Sequence, residues 1–148
     1  MGPPTCPATT APWPVRSSSI RARGTPLAVR RDPAHSLLAK GLRERIHEGA
    51  AVITTNLIVA ETHALLARRT TRDTALAFVR RVDQAGIVVV RSTAELEAAA
   101  LADWLERYAD QEFSFTDAVS FAVMTEWAIT NALTLDRHFA IAGFRMKP

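Results

Sequence analysis

The chain has 148 residues, of which 48% are hydrophobic and 22% charged, and its formal net charge is +3. This length predicts one domain with a substantial core, and no apolar run approaches the roughly 20 residues that cross a bilayer. Because Cys6 is the only cysteine, an internal disulfide is excluded, and a reducing cytoplasm is the expected compartment.

The positive charge is concentrated near the N-terminus. Residues 1–31 contain five arginines and no acidic residue, a balance of +5, so the rest of the chain carries −2. Six of the eight prolines also lie in this segment, which disfavours a helix and leaves little to bury. We therefore expect residues 1–31 to be a proline-rich, disordered segment and residues 32–148 to be the folded domain.

From Asp32 onward, helical and strand-like blocks alternate. Asp32 and Pro33 are typical of a helix start, and Ser114 is a typical N-cap. Residues 87–90, "IVVV", predict a strand buried on both faces. The predicted order is a helix ended by Gly49, a strand at 50–55, helices over 57–69 and 72–84, the strand at 87–90, a helix from Ser92 or Thr93 through Tyr108, a helix opened by Ser114, a strand at 132–135, a short helix at 137–143 and an edge strand at 144–147. This alternation predicts a parallel α/β sheet.

Three acidic residues fall near the ends of predicted strands or at helix starts. They are Glu61, Asp117 and Asp136. Ligands of parallel α/β sheets bind at the carboxyl ends of the strands, so we expect these carboxylates to lie near one another. Carboxylates that are close together repel unless a cation neutralises them, and oxygen ligands suit Mg²⁺ or Mn²⁺. His63 and His138 flank the acids without a metal-ligand spacing, so we expect surface or supporting roles and no zinc.

Each of these residues also has a structural alternative. Asp117 and Asp136 are each placed to cap a helix, and Glu61 is placed to pair with an arginine. Arginines are also frequent between positions 68 and 81, where they either follow a phosphate backbone or form a solvated helix corner. These arginines are Arg68, Arg69, Arg72, Arg80 and Arg81.

Three segments resemble blocks of the PIN-domain ribonucleases, especially the VapC toxins of type II toxin-antitoxin pairs. The segments are "TTNLIVAETHALLARR", "FSFTDAVSFAVM" and "ALTLDRHFAIAGF". The resemblance implies an α/β/α sandwich around a parallel sheet and an Mg²⁺-dependent endoribonuclease, with Mn²⁺ as an alternative ion. It also implies a homodimer and an antitoxin whose C-terminal peptide occupies the active-site groove.

The family's functional residues carry over by motif. Glu61 matches its second acid, Asp117 its third and Asp136 its fourth, and Thr116 matches a hydroxyl residue that often precedes the third acid. All three carboxylates are thereby implied to be catalytic metal ligands. A metal-activated water would then attack an RNA phosphodiester.

The N-terminus departs from the family pattern. The family begins with a strand and a first Asp about a dozen residues before a turn like "RDPAH", but no carboxylate precedes Asp32 here. We therefore expect the first strand to be missing or disrupted and the first metal ligand to be absent. The activity of this chain is then in doubt, and the alternative is a catalytically inactive PIN-like protein that only binds an antitoxin.

A frame error is one hypothesis for this departure. Allowed codons for residues 17–25 encode Phe-Asp-Thr-Ser-Ala-Trp-Tyr in another frame, a typical family start, with the Asp codon spanning Ser19 and Ile20. The coding DNA tests this hypothesis, since bases that do not read GAT or GAC across those two codons exclude it.

Overall fold

The structure is a computed structural model that describes residues 19–21 and 35–147. Parallel strands alternate with helices in an α/β/α sandwich, which confirms the predicted fold class. The strands are β1 (Ser19–Arg21), β2 (Val52–Thr55), β3 (Val88–Val90), β4 (Asn131–Leu133) and β5 (Arg145–Met146). The helices are α1 (His35–His47), α2 (Asn56–Arg69), α3 (Arg72–Gln84), α4 (Ala94–Ala99), α5 (Phe115–Glu126) and α6 (Arg137–Ile141).

The strands form a sheet of order β3-β2-β1-β4-β5 in which each neighbouring pair is parallel. The carboxyl ends of all these strands therefore lie at one edge. β2 leads into α2 at this edge, and β4 leads into α6 there. Because α5 runs back towards the start of β4, the N-terminus of α5 also lies at the carboxyl edge. The topology thus brings three helix N-termini to the part of the sheet where the predicted acids fall.

β1 occupies the centre of the sheet, where we expected a missing or disrupted strand. Its backbone pairs with β2 on one side and with β4 on the other. The structure corrects this expectation, because a strand of three residues within the proline-rich segment completes the sheet. Ladder hydrogen bonds use backbone groups, which any extended segment without proline supplies. The remainder of residues 1–31 and the helix start at Asp32 lie outside the described residues, so those predictions remain predictions.

β3 differs from the expectation that it is buried on both faces. Val89 is 38% exposed, whereas Val88 and Val90 are half-buried. β3 is an edge strand, so one face of it is less covered than that of a central strand. A run of β-branched residues predicts a strand but does not reveal its position in the sheet.

The helix predicted to run through Tyr108 is regular only at its start. Thr93 caps α4, and its side chain accepts a hydrogen bond from Leu96 N–H. After six residues the backbone continues as a π-helical segment, Ala100–Glu106. Such wider turns are rare, and the sequence pattern did not predict this one.

The core is built around α5. Every residue from Asp117 to Met124 is buried, and Phe121 and Phe139 are fully so. Phe121 contacts the rings of Trp104, Phe113, Phe139 and Phe144, with centroids 4.8–5.6 Å apart. This packing holds α5, and therefore its first turn, in a fixed position. Within the described ranges, no helix has both the length and the apolar character needed to cross a bilayer.

α5 ends with an alanine in a backbone conformation that favours glycine. Ala128 has φ of 51°. Its N–H donates to the carbonyl of Thr125 at 3.2 Å, and Ile129 N–H donates to that of Met124 at 2.8 Å. These are the two hydrogen bonds of a Schellman motif, whose left-handed residue is usually glycine. α1 ends in the same motif, with Gly49 at φ 74° in the equivalent place.

Ala128→Gly should therefore stabilise the protein. A non-glycine residue in the left-handed conformation destabilises the folded state by about 1–2 kcal/mol. Glycine removes this strain, but its greater freedom stabilises the unfolded chain by about 0.4–1 kcal/mol, which offsets part of the gain. We expect urea denaturation to show a gain of about 0.5–1 kcal/mol in the free energy of unfolding. Gly49→Ala is the matched control and should lower stability through the backbone alone, since no heavy atom of the described chain lies within 4 Å of an added Cβ. A decrease in the stability of Ala128→Gly would contradict this account.

Candidate metal centre

Asp117 lies in the first turn of α5 and is only 2% exposed. Ser114 is the N-cap of this helix, and its side chain accepts a hydrogen bond from Asp117 N–H at 3.1 Å. The Asp117 carboxylate in turn accepts two hydrogen bonds on Oδ2, from Ser114 Oγ at 2.7 Å and from Ser114 N–H at 3.1 Å. The resulting capping box fixes the carboxylate at the helix N-terminus, where the helix dipole favours negative charge.

Asp136 follows β4 and is the N-cap of α6. Its Oδ1 accepts a hydrogen bond from His138 N–H at 3.0 Å, and its own N–H donates to Thr134 Oγ1 at 2.9 Å. Thr134 is buried, so the loop between strand and helix is held from the core side. This carboxylate is therefore also positioned by a helix start.

His138 lies between the two carboxylates. Its Nδ1 is 3.4 Å from Asp136 Oδ1 and 3.7 Å from Asp117 Oδ2. Its ring packs edge-on against Phe113, with centroids 5.4 Å apart and an interplanar angle of 72°. One possible ligand atom from each of the three residues lies within 4.8 Å of the others. The described chain thus brings two carboxylates and one imidazole to a single point at the carboxyl edge of the sheet.

Glu61 does not join this group. It lies in the second turn of α2, which begins at the same edge, but its side chain is exposed. None of the ion pairs among the described residues involves Glu61, so the alternative of an arginine partner does not hold in this structure. We expected Glu61 to lie near the other two acids, but the structure places it outside the group of ligand atoms that lie within 4.8 Å of one another.

The structural alternatives for Asp117 and Asp136 prove to be real, but they do not exclude metal binding. Both residues cap helices as the sequence allowed. A carboxylate has two oxygens with about four lone-pair sites, so the two hydrogen bonds that Asp117 accepts on Oδ2 leave capacity for a cation on its other oxygen. The cap also holds the carboxylate in one orientation, as outer partners of metal ligands commonly do. Capping and ligation are compatible roles at this site.

The donor set fits a divalent cation. Ligands at adjacent positions of an octahedral ion with bonds of about 2.1 Å are about 3.0 Å apart, and opposite ligands are about 4.2 Å apart. The separations of His138 Nδ1 from Asp136 Oδ1 and from Asp117 Oδ2, 3.4 and 3.7 Å, fall between these values. Two carboxylates that are close together repel each other, and a cation bound between them removes that repulsion. One ion could contact all three residues after small movements of the side chains.

Sequence reasoning did not predict His138 as part of the site. The sequence feature that could have revealed it is the spacing Asp136-x-His138 at the start of a short helix. The N-cap carboxylate there accepts a hydrogen bond from the backbone N–H of the second helical residue, which brings the two side chains close together. Thr116, the neighbour of Asp117, is half-buried and its carbonyl accepts a hydrogen bond from Ser120 Oγ. His63 is exposed on α2, consistent with the surface role expected for it.

The arginines between positions 68 and 81 are exposed. They are Arg68, Arg69, Arg72, Arg80 and Arg81. They lie on α2 and α3, which pack against each other. Over the described ranges, no ion pair involves any of the five. The helix corner thus carries positive charge that no acid of the described chain neutralises in direct contact.

Comparison with known proteins places these residues in a family context. Residues 27–145 match the model of the PIN domain. The 23S rRNA-specific endonuclease VapC20 of Mycobacterium tuberculosis, from two strains, is 41% identical over 93 residues, covering 63% of this chain and 70% of the relative. The crystal structure of M. tuberculosis VapC20, a sarcin-ricin loop cleaving toxin, superposes with a TM-score of 0.74 at 34% identity, covering 86% of this chain and 96% of the other.

Removing the Ser114 hydroxyl should both weaken α5 and loosen Asp117. Loss of an N-cap costs about 0.5–2 kcal/mol, and the variant also leaves Oδ2 of a buried carboxylate with one donor fewer. Thr71→Ala is the matched control, because Thr71 caps α3 in the same way but at an exposed position. We expect urea denaturation to show a larger decrease in stability for Ser114→Ala than for Thr71→Ala. The reverse order would indicate that the capping box does not hold the site.

Proposed function

The chain belongs to the PIN domain family, and on this premise we propose that it is a metal-dependent endoribonuclease of the VapC toxin type. The observation that carries the proposal is the meeting of Asp117 and Asp136 at the carboxyl edge of the sheet. Its VapC20 relative, which is 41% identical over 93 residues, is named as an endonuclease that acts on 23S rRNA. The chain's reaction would accordingly be hydrolysis of an RNA phosphodiester.

The proposed cofactor is Mg²⁺, with Mn²⁺ as the alternative. Asp117 and Asp136 would hold it, and Glu61, which the resemblance implies as a further ligand, is exposed on α2 outside their group. A bound divalent ion lowers the pKa of a coordinated water and draws charge from the phosphate. The buried Asp117 carboxylate, which Ser114 holds by two hydrogen bonds, would keep such an ion in one place. Without a cation, both carboxylates would repel the phosphate backbone.

The proposed substrate is the sarcin-ricin loop of 23S rRNA. This target is the one named for the VapC20 relatives, and the relative's crystal structure covers 86% of this chain. The exposed arginines of α2 and α3 support a structured RNA substrate, because unpaired arginines neutralise phosphates along a backbone. An RNA of this kind is found in the cytoplasm, where we propose that the protein acts.

The proposed partners are a cognate antitoxin and a second copy of the chain. Toxins of this type pair with an antitoxin, and the resemblance implies that its C-terminal peptide covers the active-site groove. Phe115 and Leu135 support such a contact, since both are large apolar residues that are 44% and 41% exposed. Phe115 lies two residues before Asp117, and Leu135 lies directly before Asp136.

A catalytically inactive protein that only binds the antitoxin is the second candidate. It is favoured by one observation: residues 1–31 contain no carboxylate, and the central strand β1 reads Ser-Ile-Arg. The family's first acid therefore has no counterpart before Asp32. The two candidates share the fold and the antitoxin contact, and they differ only in whether RNA is cleaved.

Asp117→Asn separates the two candidates. The variant keeps the shape and the capping hydrogen bonds but removes the charge that holds the metal. We expect cleavage of a sarcin-ricin stem-loop RNA with Mg²⁺ or Mn²⁺ to fall by about 100-fold or more, since losing even an outer partner of a ligand typically costs 10–100-fold. Asp103→Asn, at an exposed position of the π-helical segment, is the control and should cleave normally. Wild-type protein that cleaves nothing with either ion would favour the inactive candidate.

The arginine surface can be tested independently of catalysis. Asp117→Asn serves as the background, so that the RNA stays intact during binding. Replacing Arg68, Arg69, Arg80 and Arg81 by Gln should reduce the slope of log affinity against log salt by about 0.7–0.9 for each phosphate that the protein no longer neutralises. Arg43→Gln with Arg107→Gln, two exposed arginines elsewhere on the chain, is the matched control. An unchanged slope would show that the RNA lies on another surface.

A further inference from the structure

The metal centre contains a nitrogen donor that the carboxylate chemistry of the proposed function does not use. His138 Nδ1 is buried, and among the described residues it has no hydrogen-bond partner. Its two nearest carboxylate oxygens, at 3.4 and 3.7 Å, are beyond the 2.7–3.2 Å range of a good N–H···O hydrogen bond. A buried polar atom without a partner is costly. A group that sits between these three atoms would remove that cost.

The arrangement favours a metal ion in that position over a shared proton. A proton on Nδ1 would serve one oxygen, or two in a shared hydrogen bond, but neither carboxylate oxygen lies within 3.2 Å of this nitrogen. An ion with bonds of about 2.1 Å accommodates donors that are about 3.0–4.2 Å apart. For Nδ1 to bind it, the imidazole must be neutral with its proton on Nε2. The ring orientation that this requires is already held by the edge-on contact with Phe113.

We propose that His138 is a nitrogen ligand of the metal and that this centre therefore prefers Mn²⁺ to Mg²⁺. Mg²⁺ binds oxygen ligands and retains its waters, whereas imidazole is a normal ligand of first-row transition metals. Replacing one carboxylate donor by imidazole also lowers the charge that attracts a hard cation. Mn²⁺ tolerates both donor types and takes the same octahedral geometry. This inference rests on the proposed function, which supplies the bound metal. It adds that the centre binds Mn²⁺ more tightly than Mg²⁺.

The test is metal binding to the full chain in the absence of RNA. Isothermal titration of metal-free protein should give an affinity for Mn²⁺ about tenfold or more above that for Mg²⁺. Pulsed electron paramagnetic resonance of the Mn²⁺ complex should show coupling to one imidazole nitrogen. His138→Asp restores an all-oxygen donor set, so it should abolish that coupling and lower the Mn²⁺/Mg²⁺ affinity ratio by about tenfold.

Two further variants keep the result interpretable. His138→Asn removes the nitrogen ligand without adding charge, and it should also abolish the coupling while circular dichroism remains that of the wild type. His63→Asn removes an exposed histidine of α2 and should change neither the coupling nor the affinity ratio.

The outcomes separate this inference from the proposed function. Mn²⁺ bound without nitrogen coupling, or an affinity ratio unchanged in His138→Asp, would overturn the inference and leave a metal nuclease intact. A nitrogen-coupled Mn²⁺ complex that cleaves no RNA would support the inference and overturn the nuclease. No binding of either ion to the wild-type protein would overturn both.

Discussion

The repulsion between Asp117 and Asp136 is the constraint to which the rest of the site responds. Two carboxylates brought together with little solvent around them cannot both remain charged at no cost. The fold supplies three kinds of compensation: each carboxylate sits at a helix N-terminus, Ser114 donates twice to Asp117, and the backbone N–H of His138 donates to Asp136. In the proposed function a divalent cation would complete this set, since dipoles and hydrogen bonds stabilise the charges without neutralising them.

Much of this arrangement can be predicted from local signals in the sequence. The predicted helix over residues 72–84 has the observed bounds of α3, and Ser114 is the N-cap of α5 as expected. Both predictions depend on short-range patterns of caps and apolar periodicity. The meeting of Asp117 and Asp136 follows from topology, because parallel strands end at one edge.

The remaining features cannot be predicted without knowledge of the assembled fold. The edge position of β3 is a property of the sheet, and the place of His138 depends on how Asp136 turns back over α6.

β1 shows that folding and chemistry place different demands on the same position. A parallel ladder requires only backbone N–H and C=O groups, so Ser-Ile-Arg can complete the sheet between β2 and β4. Coordination of a metal requires a particular side chain, and no acid stands in or before this strand. In the family pattern the first acid belongs to the first strand, so the missing acid predicted a missing strand. The structure shows that the two are independent. β1 is present between β2 and β4, although no residue of this chain matches the family's first carboxylate.

The donors that remain also bear on how many ions the centre holds. In the proposed centre, Asp117 and Asp136 supply two negative charges as carboxylate ligands, and the proposed nitrogen ligand His138 supplies none. Together they balance one divalent ion, whereas the four acids of the family pattern leave an excess of two negative charges that a second ion can neutralise. Glu61, exposed and outside the group, does not supply that charge within the described site. A second ion would therefore be held mainly by the phosphate of bound RNA, since the protein itself offers it little. On this electrostatic ground, the proposed centre suits one ion.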